Sequence, residues 1–257
     1  MSKRTSGWGL VKLGLLVALG FAAAVPGATV ITERSANAAD KPEITGSYKL
    51  AGAGADGLKY TGTAVISKIG GDMYNGKWTI GETTFSGICF RDDDDLSCGW
   101  SDKVKDAHDL GVVAYLVKDD GLDGVWFEAG GTKLGNEFLS PKKTNAATLA
   151  GTYTITKGKN PDGSAYSGSC TVKQMTAVSK DAYDFAWNIG GTPIHGVGIR
   201  NSDAGQDDVI SVGFSDAGGS FGALQYNVVK GGKVLAGSWV QLIGAKLSNG
   251  TETATKQ

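Results

Sequence analysis

Cys89 and Cys98 are the residues whose type and spacing most directly predict a covalent bond. A hairpin that turns between Asp93 and Asp94 places the two cysteines directly opposite each other, with their side chains on one face. Cα atoms paired across two strands lie ~4.5–5.5 Å apart, which is within disulfide range. The sequence therefore predicts a structural Cys89–Cys98 disulfide, with two free thiols as the alternative. A redox-active pair is disfavoured because the chain has no Cys-x-x-Cys motif.

Arg91 and Arg200 are the candidate ligand-binding residues. Each stands just before an aspartate-containing stretch, and the two occupy matching positions in two similar parts of the chain. An arginine at the mouth of a barrel can hold a carboxylate ligand. Trp78 and Trp187 also match each other, and we expect them to line the same sites. An ion pair between each arginine and a nearby aspartate is the alternative.

The other residues that could do chemistry carry weaker patterns. The run from Asp92 to Asp95 places four carboxylates on a hairpin tip, but it lacks the spaced ligands and the turn glycine of a calcium loop. We therefore predict a solvated acidic tip and no metal site. His108 and His195 do not match each other, and no phosphate loop, zinc pattern or Gly-x-Ser-x-Gly motif is present. We predict no enzyme activity and no cofactor, although a hydrolase that uses two carboxylates far apart in sequence stays open.

The elements that position these residues occur twice in the chain. A series of motifs that begins at Gly46 and ends at Trp126 recurs in the same order from Gly151 to Trp239. A repeat of this length is a whole domain. We call the two parts copy 1 and copy 2. Both copies keep the arginine, whereas the cysteine pair and the four-aspartate tip occur in copy 1 alone.

Short runs of alternating apolar and polar residues between Gly, Asp and Asn predict an all-β fold with many antiparallel strands. Tyr74, Trp78 and Ile80 share one apolar face, and copy 2 repeats the pattern. About eight strands are expected in each copy. Those of copy 1 are expected to start near Thr45, Lys59, Met73, Thr83, Leu96, Gly111, Leu122 and Lys133. Eight such strands close into an up-and-down barrel without exposed edges, and a barrel-like sandwich is the alternative. The fold class is thus two tandem similar domains.

The predicted domain plan has five parts. Residues 1–38 form a signal peptide with a basic start, an apolar stretch and a small-residue cleavage site; an uncleaved anchor is the alternative. The first β domain covers 39–140, a linker covers 141–148, the second β domain covers 149–248, and 249–257 form a disordered tail. The expected location is periplasmic or secreted, where disulfides persist. An outer-membrane barrel is disfavoured because many strands are shorter than the ~9–11 residues that span a bilayer.

Composition narrows the range of partners. The chain has a formal net charge of −1 and no long basic run, so a nucleic-acid partner is not expected. No membrane span is expected once the signal is removed. Cys170 aligns with Ala64 on an apolar strand face, which predicts a buried free thiol; an intermolecular disulfide is the alternative.

The repeated motifs resemble a family of small exported bacterial tandem-repeat β proteins. The resemblance covers nearly all of both copies and rests on Gly46 and Tyr48, Tyr60 and Gly62, Trp78 to Gly81, Gly87 to Arg91, Gly124 and Trp126, and Asn160 to Gly163. Members of this family are mostly uncharacterised, and some are labelled fibronectin-binding. The resemblance therefore implies a fold and export, but no active site.

The function favoured by the sequence is that of an exported, non-catalytic binding or interaction protein, with an extracellular protein or a small ligand as partner. Two linked binding domains would gain avidity if both engaged one target. The first alternative is a periplasmic carrier that holds a small ligand inside a barrel near Arg91 or Arg200. An exported hydrolase is the second alternative.

Overall fold

A computed structural model describes residues 41–257 except 105, 107, 146, 203–206 and 217. The predicted signal peptide lies outside the described residues. Sixteen strands follow one another in the described part. They are Gly46–Gly54 (β1), Lys59–Gly70 (β2), Met73–Ile80 (β3), Thr83–Asp92 (β4), Asp95–Ser101 (β5), Leu110–Lys118 (β6), Gly121–Glu128 (β7), Gly135–Thr144 (β8), Gly151–Lys159 (β9), Ala165–Gln174 (β10), Ala182–Ile189 (β11), Thr192–Asn201 (β12), Val209–Ser215 (β13), Ser220–Val229 (β14), Val234–Ile243 (β15) and Lys246–Lys256 (β16). No helix among the described residues is long and apolar enough to cross a membrane.

The strands form two closed, eight-stranded antiparallel barrels, as the sequence predicted. Barrel 1 has the order β1-β2-β3-β4-β5-β14-β15-β16, and β16 pairs with β1 to close it. Barrel 2 contains the consecutive strands β6 to β13, and β13 pairs with β6 to close it. All of these pairs are antiparallel, so every strand of both barrels has two hydrogen-bonded neighbours.

The predicted domain boundaries do not coincide with the barrels. Barrel 2 is inserted between β5 and β14 of barrel 1, and the turn between copies lies inside barrel 2, between β8 and β9. Each barrel therefore takes five strands from one copy and three from the other. This pairing exchanges equivalent strands, because β5 and β13 occupy the same position in the two copies, as do β6 and β14. Boundaries drawn at 39–140 and 149–248 must be corrected accordingly.

The predicted linker and tail also need correction. Residues 141–144 belong to β8, and only the turn that follows separates β8 from β9. All but the last residue of the tail predicted to be disordered lies in β16, which pairs with both β1 and β15. Its polar sequence is compatible with a strand because its side chains alternate: Glu252 and Ala254 point inward and are buried, while Thr253 and Thr255 are exposed.

The interior of each barrel holds its own apolar cluster, and two further clusters lie between the barrels. One joins Val197 and Ile199 of barrel 2 to Phe221 and Val240 of barrel 1. The other contains the following residues: Met73, Ile88, Leu110, Val112 and Phe127. The strands between the two interiors are thus buried on both faces, as β5 is along almost its whole length. This is why alternation is weak there in the sequence.

Glycines allow the two barrels to approach closely where their central strands meet. Gly99 of β5 and Gly213 of β13 are equivalent residues, and they face each other across the contact. A Cβ atom on Gly99 would lie 3.3 Å from the Gly213 Cα atom and 2.5 Å from the Gly111 carbonyl oxygen. Any larger residue at this point would force the barrels apart.

Candidate functional site

Barrel 1 contains a cavity of about 280 Å³ at one end. Its wall is largely aromatic, and the lining residues are Tyr60, Trp78, Ile80, Thr83, Phe85, Trp100, Leu224, Trp239, Gln241 and Glu252. Thr83, the first residue of β4, is exposed at the rim, whereas Trp78 and Glu252 are buried. An apolar concave space with a few polar groups is the usual form of a small-ligand site.

Glu252 is the polar centre of the cavity and is only 4 % exposed. Tyr60 donates a hydrogen bond from its hydroxyl to Glu252 Oε2 at 3.0 Å, and Tyr226 donates a short one to Oε1. The indole N–H of Trp78 in turn donates to the Tyr226 hydroxyl oxygen at 3.1 Å. This chain of donors fixes the carboxyl group at the inner end of the aromatic wall.

Burial sets the protonation behaviour of this cluster. Removal from water raises the pKa of Glu252, although the hydrogen bonds from Tyr226 and Tyr60 oppose that change. Burial likewise raises the pKa of Tyr60 and of Tyr226, and the nearby Glu252 carboxylate raises both further. Both phenols therefore stay protonated and serve as fixed hydrogen-bond donors.

One further donor in the wall has no acceptor. The indole N–H of Trp239 is buried and makes no hydrogen bond within the usual distance and angle limits, although it interacts with the Tyr60 hydroxyl. A buried unpaired donor is unfavourable by about 1–3 kcal/mol. A ligand oxygen that accepted this N–H would relieve that penalty.

Barrel 2 repeats the same polar cluster. Glu137 is 3 % exposed and accepts hydrogen bonds from Tyr166 at 2.8 Å and from Tyr115. Trp187 donates from its indole nitrogen to the Tyr115 oxygen at 3.1 Å and to Glu137 Oε1 at 3.2 Å. Glu137 therefore has three donors, whereas Glu252 has two.

The two predicted tryptophans thus lie beside these carboxyl groups. Trp78 lines the cavity of barrel 1, and Trp187 lies in the interior of barrel 2. The structure separates both from the predicted arginines. Thr83 at the cavity rim and Arg91 lie near opposite ends of β4, so Arg91 is at the far end of barrel 1.

Arg91 is built into that far end. It is 1 % exposed and donates from Nε to the Asp93 carbonyl at 2.7 Å and from Nη1 to the Pro42 carbonyl at 2.5 Å. Its Nη2 is 3.9 Å from the exposed carboxylate of Asp94. The hydrogen bond to Pro42 holds the segment that precedes β1 against this end of the barrel.

Arg200 instead forms the ion pair that was the alternative interpretation. Its guanidinium group meets both carboxylate oxygens of Asp208, a bidentate arrangement. Hydrogen bonding to Asp208 is the main cause of its raised pKa. Arg200 also borders a polar cleft between the barrels together with Asp181, Ser238 and Asn249.

The disulfide prediction is confirmed. Cys89 and Cys98 pair directly across β4 and β5 and form a buried disulfide with a Cα–Cα distance of 4.0 Å. Cys170 is a buried free cysteine, as predicted. Burial is the main cause of its raised thiol pKa, which disfavours reactivity.

The remaining sequence candidates lie away from the cavity. His108 contacts Glu128 at 2.7 Å and His195 contacts Asp184, and both histidines are exposed. No group of three or more His, Cys, Asp or Glu side chains that could hold a metal is present among the described residues. Asp92 and Asp95 face a small space between the barrels, near Asp123 and Asp207.

Sequence reasoning missed Glu252 and Glu137. A signal was present, because Gly135 and Glu137 in copy 1 match Gly250 and Glu252 in copy 2. The motifs that define the repeat end at Trp239, and the polar composition of the segment after Gly250 is typical of a disordered tail. Two buried carboxylates at equivalent strand positions would have marked the interior of both barrels.

Comparisons of the chain with family models, curated proteins and solved structures gave no match. The geometry of the cavity is therefore the basis for any functional conclusion.

Proposed function

We propose that this protein is an exported, non-catalytic binding protein that holds a small, largely apolar ligand in the cavity of barrel 1. The observation that carries this proposal is the aromatic cavity of about 280 Å³ with the buried Glu252 at its inner end. This is the carrier alternative from the sequence, moved from the arginines to the opposite end of the barrel.

The size and lining of the cavity support a small ligand. Trp100 and Phe85 meet edge to face, with ring centroids 4.9 Å apart, and they form one rigid wall. Tyr60 and Trp239 form another wall, with centroids 6.5 Å apart. Aromatic walls provide a large apolar contact area with little loss of side-chain entropy on binding. Glu252 and the unpaired N–H of Trp239 supply the polar contacts that would orient the ligand.

A non-catalytic role is supported by the composition of the cavity wall. Glu252 is the one carboxylate among the described residues that line the cavity. A glycosidase-type hydrolase needs two carboxyl groups on either side of the scissile bond. Glu137, the other deeply buried glutamate, lies in barrel 2 and hydrogen-bonds to residues of that barrel.

Export is supported by the disulfide and by the sequence of residues 1–38. A disulfide is compatible with an oxidising compartment and is uncommon in the cytosol. The bond closes a short loop within one hairpin and is fully buried. Such a cross-link would help an exported binding protein to retain its fold outside the cytosol.

Binding of cyclohexanol, a compact alcohol, tests the proposal. We expect saturable changes in tryptophan fluorescence, since three lining residues are tryptophans, and a higher thermal midpoint at saturating ligand. Thr83→Trp at the rim should abolish both effects by blocking the entrance. Thr192→Trp, at the matched position in barrel 2, is the control and should leave both effects unchanged.

Two results would contradict the proposal. One is a fluorescence response that does not saturate. The other is binding that survives Thr83→Trp but is lost in Thr192→Trp. Native mass spectrometry of the protein purified from an exporting host adds an independent readout, because a resident ligand would appear as a discrete added mass that Thr83→Trp removes.

A further inference from the structure

We propose that the ligand of barrel 1 is a small organic cation of the methylated ammonium class, whose charged group lies between the aromatic walls and the Glu252 carboxylate. This inference rests on the proposed function and names the substrate class of the same cavity.

Among the described residues, none forms an ion pair with the carboxyl group of Glu252. Its hydrogen-bond partners are the neutral hydroxyls of Tyr60 and Tyr226. Seven ion pairs that involve a lysine, arginine or histidine occur elsewhere in the described part of the chain. Buried carboxylates are normally paired, so a cationic ligand would supply the missing partner.

The walls around this carboxylate suit a diffuse positive charge. Trp78, Trp100 and Trp239 line the cavity together with Tyr60 and Phe85. The faces of aromatic rings attract cations within about 6 Å, tryptophan most strongly, and aromatic cages of this kind recognise quaternary ammonium groups. A methylated ammonium also satisfies the apolar surface, because its methyl groups contact the rings.

Barrel 2 shows which features are specific to the cavity. The Glu–Tyr–Tyr–Trp cluster is the same in both barrels, but Trp187 adds a third donor to Glu137. Phe214 and Ile194 in barrel 2 replace Trp100 and Phe85 of barrel 1. Glu252 thus keeps more free acceptor capacity than Glu137, and its cavity has a tryptophan and a phenylalanine where barrel 2 has a phenylalanine and an isoleucine. We therefore assign the cation site to barrel 1.

The test compares choline with its neutral isostere 3,3-dimethylbutan-1-ol, in which carbon replaces the charged nitrogen. Isothermal titration of the full-length exported protein should show choline binding at least about tenfold more tightly, which corresponds to about 1.4 kcal/mol. Glu252→Gln keeps the shape of the side chain and should reduce choline affinity by at least about tenfold, with the neutral isostere affected less than about twofold. Glu137→Gln is the matched control and should change neither affinity.

A second variant guards against a folding defect in Glu252→Gln. Trp239→Leu removes one aromatic wall near the rim, and Trp126→Leu is its counterpart in barrel 2. We expect Trp239→Leu to weaken choline binding more than binding of the neutral isostere, and Trp126→Leu to weaken neither. Thermal unfolding of each variant reports whether it is folded.

The outcomes separate this inference from the proposed function. If the neutral isostere binds as tightly as choline, or if folded Glu252→Gln retains choline affinity, the cation inference is wrong and the apolar binding site stands. If choline fails to bind while cyclohexanol binds, the conclusion is the same. If none of the three compounds binds, both proposals are overturned.

Discussion

The two barrels share one polar cluster but fill the layer beneath it with different side chains. In barrel 1 this layer contains Gly76 and the Cys89–Cys98 disulfide. In barrel 2 the matched residues are Phe185, Gly198 and Val212. The Phe185 ring lies against the positions of Gly198 and Val212, where barrel 1 has its sulfur atoms.

This difference shows that one interior volume can be filled in two ways. A phenyl ring on β11 occupies the space that two cysteines on β4 and β5 occupy in barrel 1. The exchange also moves the neighbouring tryptophan. The Trp78 ring lies over Gly76 and Gly87, where a Cβ atom on Gly76 would overlap it. Trp187 instead stacks on Phe185, with centroids 5.4 Å apart.

The position of Trp78 therefore links the disulfide to the cavity. Because position 76 is a glycine, the Trp78 ring can lie back on β3, away from the mouth of barrel 1. A phenylalanine at this position would displace the Trp78 ring, because a Cβ atom there would lie only 2.2 Å from it. The position of the Trp78 ring in the cavity wall of barrel 1 thus depends on this small residue.

The largest expected effect concerns the dependence of both barrels on both copies. A protease site placed in the turn between β8 and β9 should yield two halves that remain together as a 1:1 complex under native conditions. The reason is that the β1–β16, β5–β14, β6–β13 and β8–β9 pairings each join one half to the other. Size exclusion with native mass spectrometry measures this. Folded halves that elute separately would show that each copy closes its own barrel.

The disulfide layer provides the next largest effect. Cys89→Gly/Cys98→Val should lower the free energy of unfolding by about 4 kcal/mol, because it removes a cross-link and leaves a cavity. Addition of Gly76→Phe should recover at least about 1 kcal/mol by refilling the layer as in barrel 2. Urea unfolding measures both. A triple variant less stable than the double variant would show that the two layers are not interchangeable.

Gln225 lies at the contact between the barrels and has no polar counterpart in copy 1. Its Oε1 accepts hydrogen bonds from Ser97 and Ser211, which belong to different barrels, and its Nε2 donates to Asp95. The matched residue in copy 1 is Ala114. Gln225→Ala leaves buried hydroxyls unpaired and should lower the free energy of unfolding by about 2–3 kcal/mol.

The control for this change is Gln174→Ala. That side chain makes one hydrogen bond, to the Lys180 carbonyl, near the surface. Its loss should alter the free energy of unfolding by less than about 0.5 kcal/mol. Equal losses in the two variants would mean that Gln225 does not connect the barrels energetically.

Asp95 gives the smallest expected effect. This residue of barrel 1 should make the free energy of unfolding depend on pH. Burial, with repulsion from Asp207 next in size, raises its pKa to about 6. The folded state thus binds the proton more tightly than the unfolded state. The stability contributed by this proton is present below about pH 4 and is lost as the pH rises through about 6.

Asp95→Asn should remove this dependence. The variant should gain stability relative to the original chain as the pH rises from 4 to 7, measured by urea unfolding at each pH. Asp120→Asn, in an exposed turn, is the surface control. A difference between Asp95→Asn and the original chain that does not change with pH would show that this group does not titrate in the range.

Much of the local structure was predictable from residues close together in sequence. The strands of copy 1 begin within two residues of their expected starts, as at Thr83 and at Gly135 against an expected Lys133. The register that opposes Cys89 and Cys98 follows from one short hairpin. The candidate site was predicted only in part, since Trp78 lines the cavity whereas Arg91 lies at the other end.

The sequence by itself determined where most strands begin, which face is apolar in strands with one buried side, and that the unit occurs twice. These properties depend on period-two alternation and on turn residues, which are local. Only the tertiary structure decided that β5 pairs with β14 and β13 with β6. Strand edges offer the same backbone donors and acceptors to any partner, so equivalent strands from the two copies compete equally.

The choice between those partners depends on contacts that form only when both barrels are present. Gly99 and Gly213 allow the central strands to approach, and apolar clusters on both sides cover their outer faces. The same arrangement makes β16 a strand with neighbours on both edges and turns Glu252 inward. A glutamate in a polar segment at the end of the chain thereby becomes the buried centre of the cavity.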